Sequence, residues 1–286
     1  MTAARATPTA LHSWSQPRGG PKSDAHRVLD STSRDTPRHL VIYGDFACPW
    51  SYLASQRADA LEAVGITVDW RAVEGCLHPW DTRATKQRLE QVRDAIPEVQ
   101  AALGPAENFP ASLGRYTPFT AAAVSAYAEG CAAERSTVIR RLLFNASWVH
   151  GVDLNNANAL RRLTAPVLMD SASPSNVVRE WGMVPDVTGG PVSTAAWRLR
   201  REWASTWQSI DSPHTPWLLV DGQPTFGSVA VAWLGALVRL LSDRTGPATA
   251  APIDLLTPDL PQVSWISQNG GRWLRDAHKL TAPTAQ

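Results

Sequence analysis

The chain has 286 residues, of which 44% are apolar, and a formal net charge of +1. That apolar share can build a core and excludes wholesale disorder; the near-zero charge gives neither a basic field for nucleic acid nor an acidic tail. Three cysteines, Cys48, Cys76 and Cys131, are too few and too scattered for a secreted disulfide framework, and neither they nor the seven histidines are spaced like a metal site.

Residues 1–37 are rich in Pro, Gly, Ser, Thr and Arg without periodicity and read as a disordered lead. They lack the apolar stretch of a secretory signal. "RHLVIYGDF" is a run of β-formers, the profile of a buried strand. Pro49 then suits the first turn of a helix, where its missing N–H costs nothing. "PWSYLASQRADALEAVG" has apolar residues at helical spacing and stops at Gly65. "ITVDWRAV" alternates Ile66, Val68 and Trp70 and predicts a second strand. Strand, helix and strand over so short a span make a βαβ unit with a parallel strand pair.

Between residues 75 and 207 almost nothing is strand-like. Six helical patterns follow one another, from "TRATKQRLEQVRDAI" to "VSTAAWRLRREWASTWQ", broken by Pro, Gly and Asn. Thirteen tryptophans, several interleaved with arginine, fit amphipathic helices better than a platform for stacking bases. "TPWLLVDGQPTFGS" predicts a hairpin with strand Trp217–Val220, a turn at Asp221–Gly222 and a return through Thr225–Phe226. "VAVAWLGALVRLLSD" closes the core as a helix, and no stretch is long and apolar enough for a membrane span. The resulting plan is a thioredoxin-like α/β fold, residues 38–74 and 208–243, interrupted by a helical insertion domain at 75–207. A C-terminal extension follows at 244–286.

The chemistry centres on Cys48. It falls at the junction of the first strand and helix, where the helix dipole and unpaired N–H groups favour a thiolate. Ser51 lies one turn on, with a hydroxyl that could donate to the sulfur. Far downstream, Thr215 and Pro216 directly precede a strand. In a thioredoxin plan this is where a cis-proline faces the cysteine and leaves the Thr215 backbone free for an extended substrate. Pro213 lies close by; Pro216 is preferred for its distance to the strand. Trp50 would flank the sulfur, Asp45 would tune the thiol or end the strand, and His78 and His214 are weaker neighbours.

These residues carry a resemblance. "DFACPWSYLAS" resembles the Asp-x-x-Cys-Pro-Trp-Cys-Tyr pattern of the DsbA family, in its cytoplasmic branch similar to FrnE proteins, at every position except the second cysteine. "LFNASWVHGVDLNNANALRRL" resembles a segment of that branch's helical domain, and "HTPWLLVDGQPTFGS" its cis-proline hairpin. The resemblance spans about residues 38–242 and implies a cytoplasmic bacterial thiol–disulfide oxidoreductase. Cys48 and Ser51 would be catalytic, and Pro49, Trp50, Thr215 and Pro216 would bind substrate. The substrate would be a protein or small-molecule thiol or disulfide, with no nucleic acid, membrane or metal involved.

The departure is Ser51, which removes the thiol that resolves a mixed disulfide in dithiol members. Release then needs an external thiol, with glutathione or mycothiol as candidate co-substrates and no permanently bound cofactor, or else Cys76 or Cys131. A second resemblance, to kappa-class glutathione transferases and hydroxychromene-carboxylate isomerases, implies that Cys48 or Ser51 would activate the thiol of glutathione. A third reading is a non-catalytic thioredoxin-fold binding protein.

Overall fold

The computed structural model describes residues 39–75, 82–111, 113, 116, 118–170, 177–186, 188–211, 214–220 and 223–245. The expected lead, most of the C-terminal extension, Cys76, His78, Pro213 and the Asp221–Gly222 turn lie outside the described residues.

The first strand, β1, runs His39–Gly44 and leads through a tight loop into helix α1, Pro49–Ala63. Strand β2, Thr67–Ala72, returns parallel to β1, with Ile42 opposite Trp70. Among the described residues six helices follow: α2 Thr82–Ala101, α3 Ala121–Ala132, α4 Ser136–Trp148, α5 Ala157–Met169, α6 Val177–Trp181 and α7 Thr194–Gln208. Strands β3, Trp217–Val220, and β4, Gln223–Phe226, pair antiparallel, and helix α8, Gly227–Thr245, ends the described chain. Strand β3 also pairs antiparallel with β1, so the sheet order is β2-β1-β3-β4. This is a thioredoxin-like α/β fold with a helical insertion.

Three boundaries move relative to expectation. Strand β1 stops at Gly44 rather than Phe46, because Asp45 to Ala47 turn inward to hold the entry to α1. Helix α2 continues through Pro97 and α5 through Pro166, to Ala101 and Met169. Both helices carry their buried residues past the proline: Val99 in one, Leu168 in the other. That packing outweighs the single backbone hydrogen bond each proline removes.

One apolar core runs from the sheet into the insertion. Phe46, just after β1, meets Phe144 of α4 at 4.8 Å and Tyr127 of α3 at 5.9 Å between ring centroids. Tyr52 of α1 stacks on Trp148 at 6.2 Å, and the Tyr127 hydroxyl donates to the Trp70 carbonyl of β2 at 3.1 Å. Of the arginine-rich tryptophan helix, α7, Trp203 is buried and Trp207 stacks on Tyr43, while Trp197 faces outward. The helix is amphipathic, as its spacing implies.

Close approach decides one residue of β1. A Cβ on Gly44 would lie 2.1 Å from the Trp70 indole, and the Arg140 guanidinium also packs over that ring, 5.3 Å from its centroid. Gly44→Ala therefore forces the β1–β2 pair apart and should lower folding stability by about 1–3 kcal/mol, measured by urea unfolding.

Candidate active site

Cys48 is the N-cap residue of α1, with extended backbone (φ −101°, ψ 122°) and no side-chain capping bond. Pro49 occupies the first helical turn, where it needs no donor. The thiol is wholly buried, and its Sγ donates to the Thr215 carbonyl at 3.3 Å. The Thr215–Pro216 peptide is cis, and the Pro216 carbonyl accepts the Gly227 N–H at 2.8 Å. The fold thus brings together two sites 167 residues apart. The Thr215 carbonyl is taken by the thiol in this state, which differs from the expectation of a backbone left open for substrate.

The loop from Asp45 to Cys48 is fastened at every residue. The Asp45 carbonyl accepts the Cys48 N–H at 3.0 Å, closing a turn in front of the thiol. Ser51 Oγ accepts the Asp45 N–H at 3.2 Å, so in this state the hydroxyl holds the loop. Trp148 Nε1 donates to the Phe46 carbonyl at 3.0 Å, and the Tyr116 hydroxyl to the Ala47 carbonyl at 2.9 Å. Asp45 Oδ1 accepts from the Ala47 N–H at 2.9 Å and the Thr120 hydroxyl at 3.0 Å. Its other oxygen, Oδ2, pairs with Arg88 Nη2 at 3.2 Å. Gly75 makes room for this pair, since a Cβ there would sit 2.3 Å from Asp45 Oδ2.

Burial pushes the Asp45 carboxyl above its usual range, and the Arg88 guanidinium and the Ala47 and Thr120 hydrogen bonds oppose that rise. Tyr116 is also raised by burial, with Arg88 opposing. Trp50 is 3% exposed, and its indole N–H has no partner among the described residues. His214 stacks on Phe226 at 5.5 Å. Cys131, on α3, is pushed up to about 12 by burial, so its thiol stays protonated at neutral pH and is a poor nucleophile. Among the described residues no group of His, Cys, Asp and Glu is arranged to hold a metal, and no helix is long and apolar enough to cross a membrane.

Four residues that the sequence reading did not single out complete the site: Arg88, Tyr116, Thr120 and Trp148, all contributed by the insertion. Arg88 left one trace in the sequence. It falls in helical register with Val92, Ala95, Ile96 and Val99, the buried face of α2.

Residues 39–178 match the family model of the DSBA-like thioredoxin domain. The protein carries a DSBA-like thioredoxin domain. The matched stretch includes Cys48 and most of the insertion, whereas Thr215 and Pro216 lie beyond it. Among solved structures, this DSBA-like chain is similar to the cytosolic disulfide reductase DsbM from Pseudomonas aeruginosa, with 16% identity and a TM-score of 0.52. That match covers 72% of this chain and 98% of the other. It is also similar to a 2-hydroxychromene-2-carboxylate isomerase, at 18% identity and TM-score 0.46, covering 85% and 100% of the two chains. A probable DsbA oxidoreductase from Streptomyces coelicolor matches at 16% identity and TM-score 0.45, covering 73% and 90%. No curated protein matches the sequence.

Two measurements probe this DSBA-like site. Tyr116→Phe removes the donor to the buried Ala47 carbonyl and should cost about 1–3 kcal/mol of stability in urea unfolding. The second concerns pH. Because the Asp45 carboxyl is raised in the folded state, the folded chain binds more protons than the unfolded one above the unfolded value of 3.8. The stability contributed by Asp45 is therefore full below that value and is lost as pH rises through its folded value. Asp45→Asn removes that fall, which is read as the difference between the two proteins' unfolding free energies across the acid range.

Proposed function

We propose that the protein is a DsbA-like thiol–disulfide oxidoreductase working through a single thiol, Cys48. The observation that carries this reading is the placement of Cys48. It caps a helix N-terminus, where backbone N–H groups favour the thiolate, and its sulfur lies 3.3 Å from the Thr215 carbonyl. The Cys48 thiolate attacks one sulfur of a substrate disulfide; a new S–S bond forms, the old one breaks, and the leaving sulfur departs as thiolate. Thr215 and Pro216 dock the substrate backbone once Cys48 leaves the Thr215 carbonyl, and Pro49 and Trp50 line the same end of α1.

With Ser51 at the fourth position, the mixed disulfide has no neighbouring thiol to resolve it. A low-molecular-weight thiol, glutathione or mycothiol, attacks it, regenerating Cys48 and carrying away the substrate half. A compartment supplied with such thiols, the cytoplasm, suits this cycle. Ser51 holds the Asp45 loop and so steadies the helix entry on which Cys48 sits.

Ser51 in place of a cysteine also favours a second reading, a glutathione-dependent isomerase or transferase. There the bound thiol stays reduced and Cys48 or Ser51 only donates a hydrogen bond to it.

The test is exchange with a peptide–glutathione mixed disulfide, followed by trapping of the protein adduct. Cys48→Ser should abolish the adduct and lower exchange by at least about two orders of magnitude, the loss expected for a missing nucleophile. Ser51→Cys should raise insulin reduction strongly. Glutathione binding retained by Cys48→Ser, with no adduct in the native protein, would favour the second reading. Neither binding nor exchange would leave a non-catalytic binding protein.

A further inference from the structure

A row of aromatic side chains crosses the sheet from β1 to its edge, and its cover thins on the way. Tyr43 of β1 pairs with Trp217 of β3, and Trp217 with Phe226 of β4. Trp207 of α7 stacks on Tyr43, which is 2% exposed. Trp217 is half-buried, and Phe226 is 42% exposed. Leu219 lies opposite Pro224, and strand alternation puts that pair on the same face as Trp217 and Phe226. Leu219 is 45% exposed and Pro224 is exposed as well, whereas Leu218, which points the other way, is wholly buried. His214, stacked on Phe226 at 5.5 Å, bounds the open surface at the end next to the cis Thr215–Pro216 peptide.

Apolar side chains exposed together in this way mark a contact surface. Strand β4 is also an edge of the sheet, but Pro224 lacks a backbone donor, which discourages pairing with another strand. The hairpin therefore offers its face rather than its edge.

The chain carries its own candidate cover. Beyond Thr245, where the described residues end, it continues through residues 246–286. Residues 246–252, "GPATAAP", have the composition of a linker. Residues 253–274, "IDLLTPDLPQVSWISQNGGRWL", do not. Trp265 and Trp273, with Leu255, Leu256, Val263 and Ile266, are more apolar mass than a permanently solvated segment carries. Helix α8 begins beside the cis peptide, where the Gly227 N–H meets the Pro216 carbonyl. Its 19 residues carry the chain about 27 Å along the helix axis. Fully extended, the linker spans about 25 Å, so the apolar stretch can return to the hairpin. A segment tethered so closely acts at an effective concentration of order millimolar, against which a second copy must compete from solution.

We propose that residues 253–274 dock on the open face of the β3–β4 hairpin of their own chain, seated on Leu219, Pro224 and Phe226. Docking removes apolar surface of both partners from water. It also brings the tail against Phe226 and His214, so that it borders the Thr215–Pro216 dock. The inference is independent of the chemistry assigned to Cys48.

Hydroxyl-radical footprinting of the full-length protein, read by mass spectrometry, reports the exposure of each of these side chains. Two tail variants empty the seat: Leu255→Asp with Leu256→Asp, and Trp265→Asp with Ile266→Asp. In at least one of them Phe226 and Leu219 should be modified about fourfold faster than in the wild type, the change from three-quarters occupancy to none. Reciprocally, Phe226→Asp should speed modification of Trp265 and Trp273 to a similar degree, while the buried Trp203 of α7 stays unchanged and reports an intact fold. If Phe226→Asp does not fold, the tail variants, which alter no described residue, carry the test alone.

Phe226 and Leu219 labelling that neither tail variant changes would overturn the proposal. Tail tryptophans unmoved by a folded Phe226→Asp protein would overturn it too, because the tail would then be seated elsewhere. Slow labelling of Phe226 that quickens on dilution, with a dimer's mass in light scattering, would give the face to a second copy and likewise sink it.

Discussion

A buried carboxylate, Asp45, holds the entrance to the first helix in place. It sits three residues before Cys48, where β1 ends, and draws to itself the Ala47 N–H, the Thr120 hydroxyl and the Arg88 guanidinium. Desolvating such a group is costly, and removing one partner costs more than the pair contributes. The site can therefore keep Asp45 only if helix α2, the segment after it and the glycine at 75 all arrive together. The loop, the insertion and the cysteine are in that sense one assembly.

The consequence is a tight division of labour between the two parts of the fold. The βαβ unit and hairpin put Cys48 at a helix N-terminus and bring Thr215 to its sulfur. The insertion grips the loop behind it, through Trp148 on the Phe46 carbonyl and Tyr116 on the Ala47 carbonyl. Aromatic packing of Phe46, Tyr52, Tyr127, Phe144 and Trp148 makes this grip part of the apolar core. Core side chains are packed densely enough to transmit small displacements, so the insertion and the thiol are mechanically joined.

Much of this was legible in the chain. The β-run before Cys48, the helical spacing after it and the alternation of "ITVDWRAV" gave the βαβ unit, since a two-residue period and a 3.6-residue period are hard to confuse at those lengths. The hairpin was equally plain from Trp217 to Phe226. Strand and helix ends were less so: β1 gives way to the Asp45 turn, and α2 runs through Pro97, because tertiary contacts outweigh a local rule. Arg88 could have been noticed as a charge on an apolar stripe. Tyr116, Thr120 and Trp148 could not, because each meets the loop from 69 to 102 residues away along the chain.

The sequence alone determined the order of strands and helices, the cysteine at a helix start and the serine that replaces its usual partner. These are local matters of periodicity, capping and motif, written within a few residues of one another. Only the tertiary structure decided that the thiol meets Thr215, that Ser51 holds the Asp45 N–H, and that Arg88, a buried cation from the insertion, pairs with Asp45. Each depends on which distant groups share a desolvated space. Burial makes such pairings obligatory, but does not mark them in the order of residues.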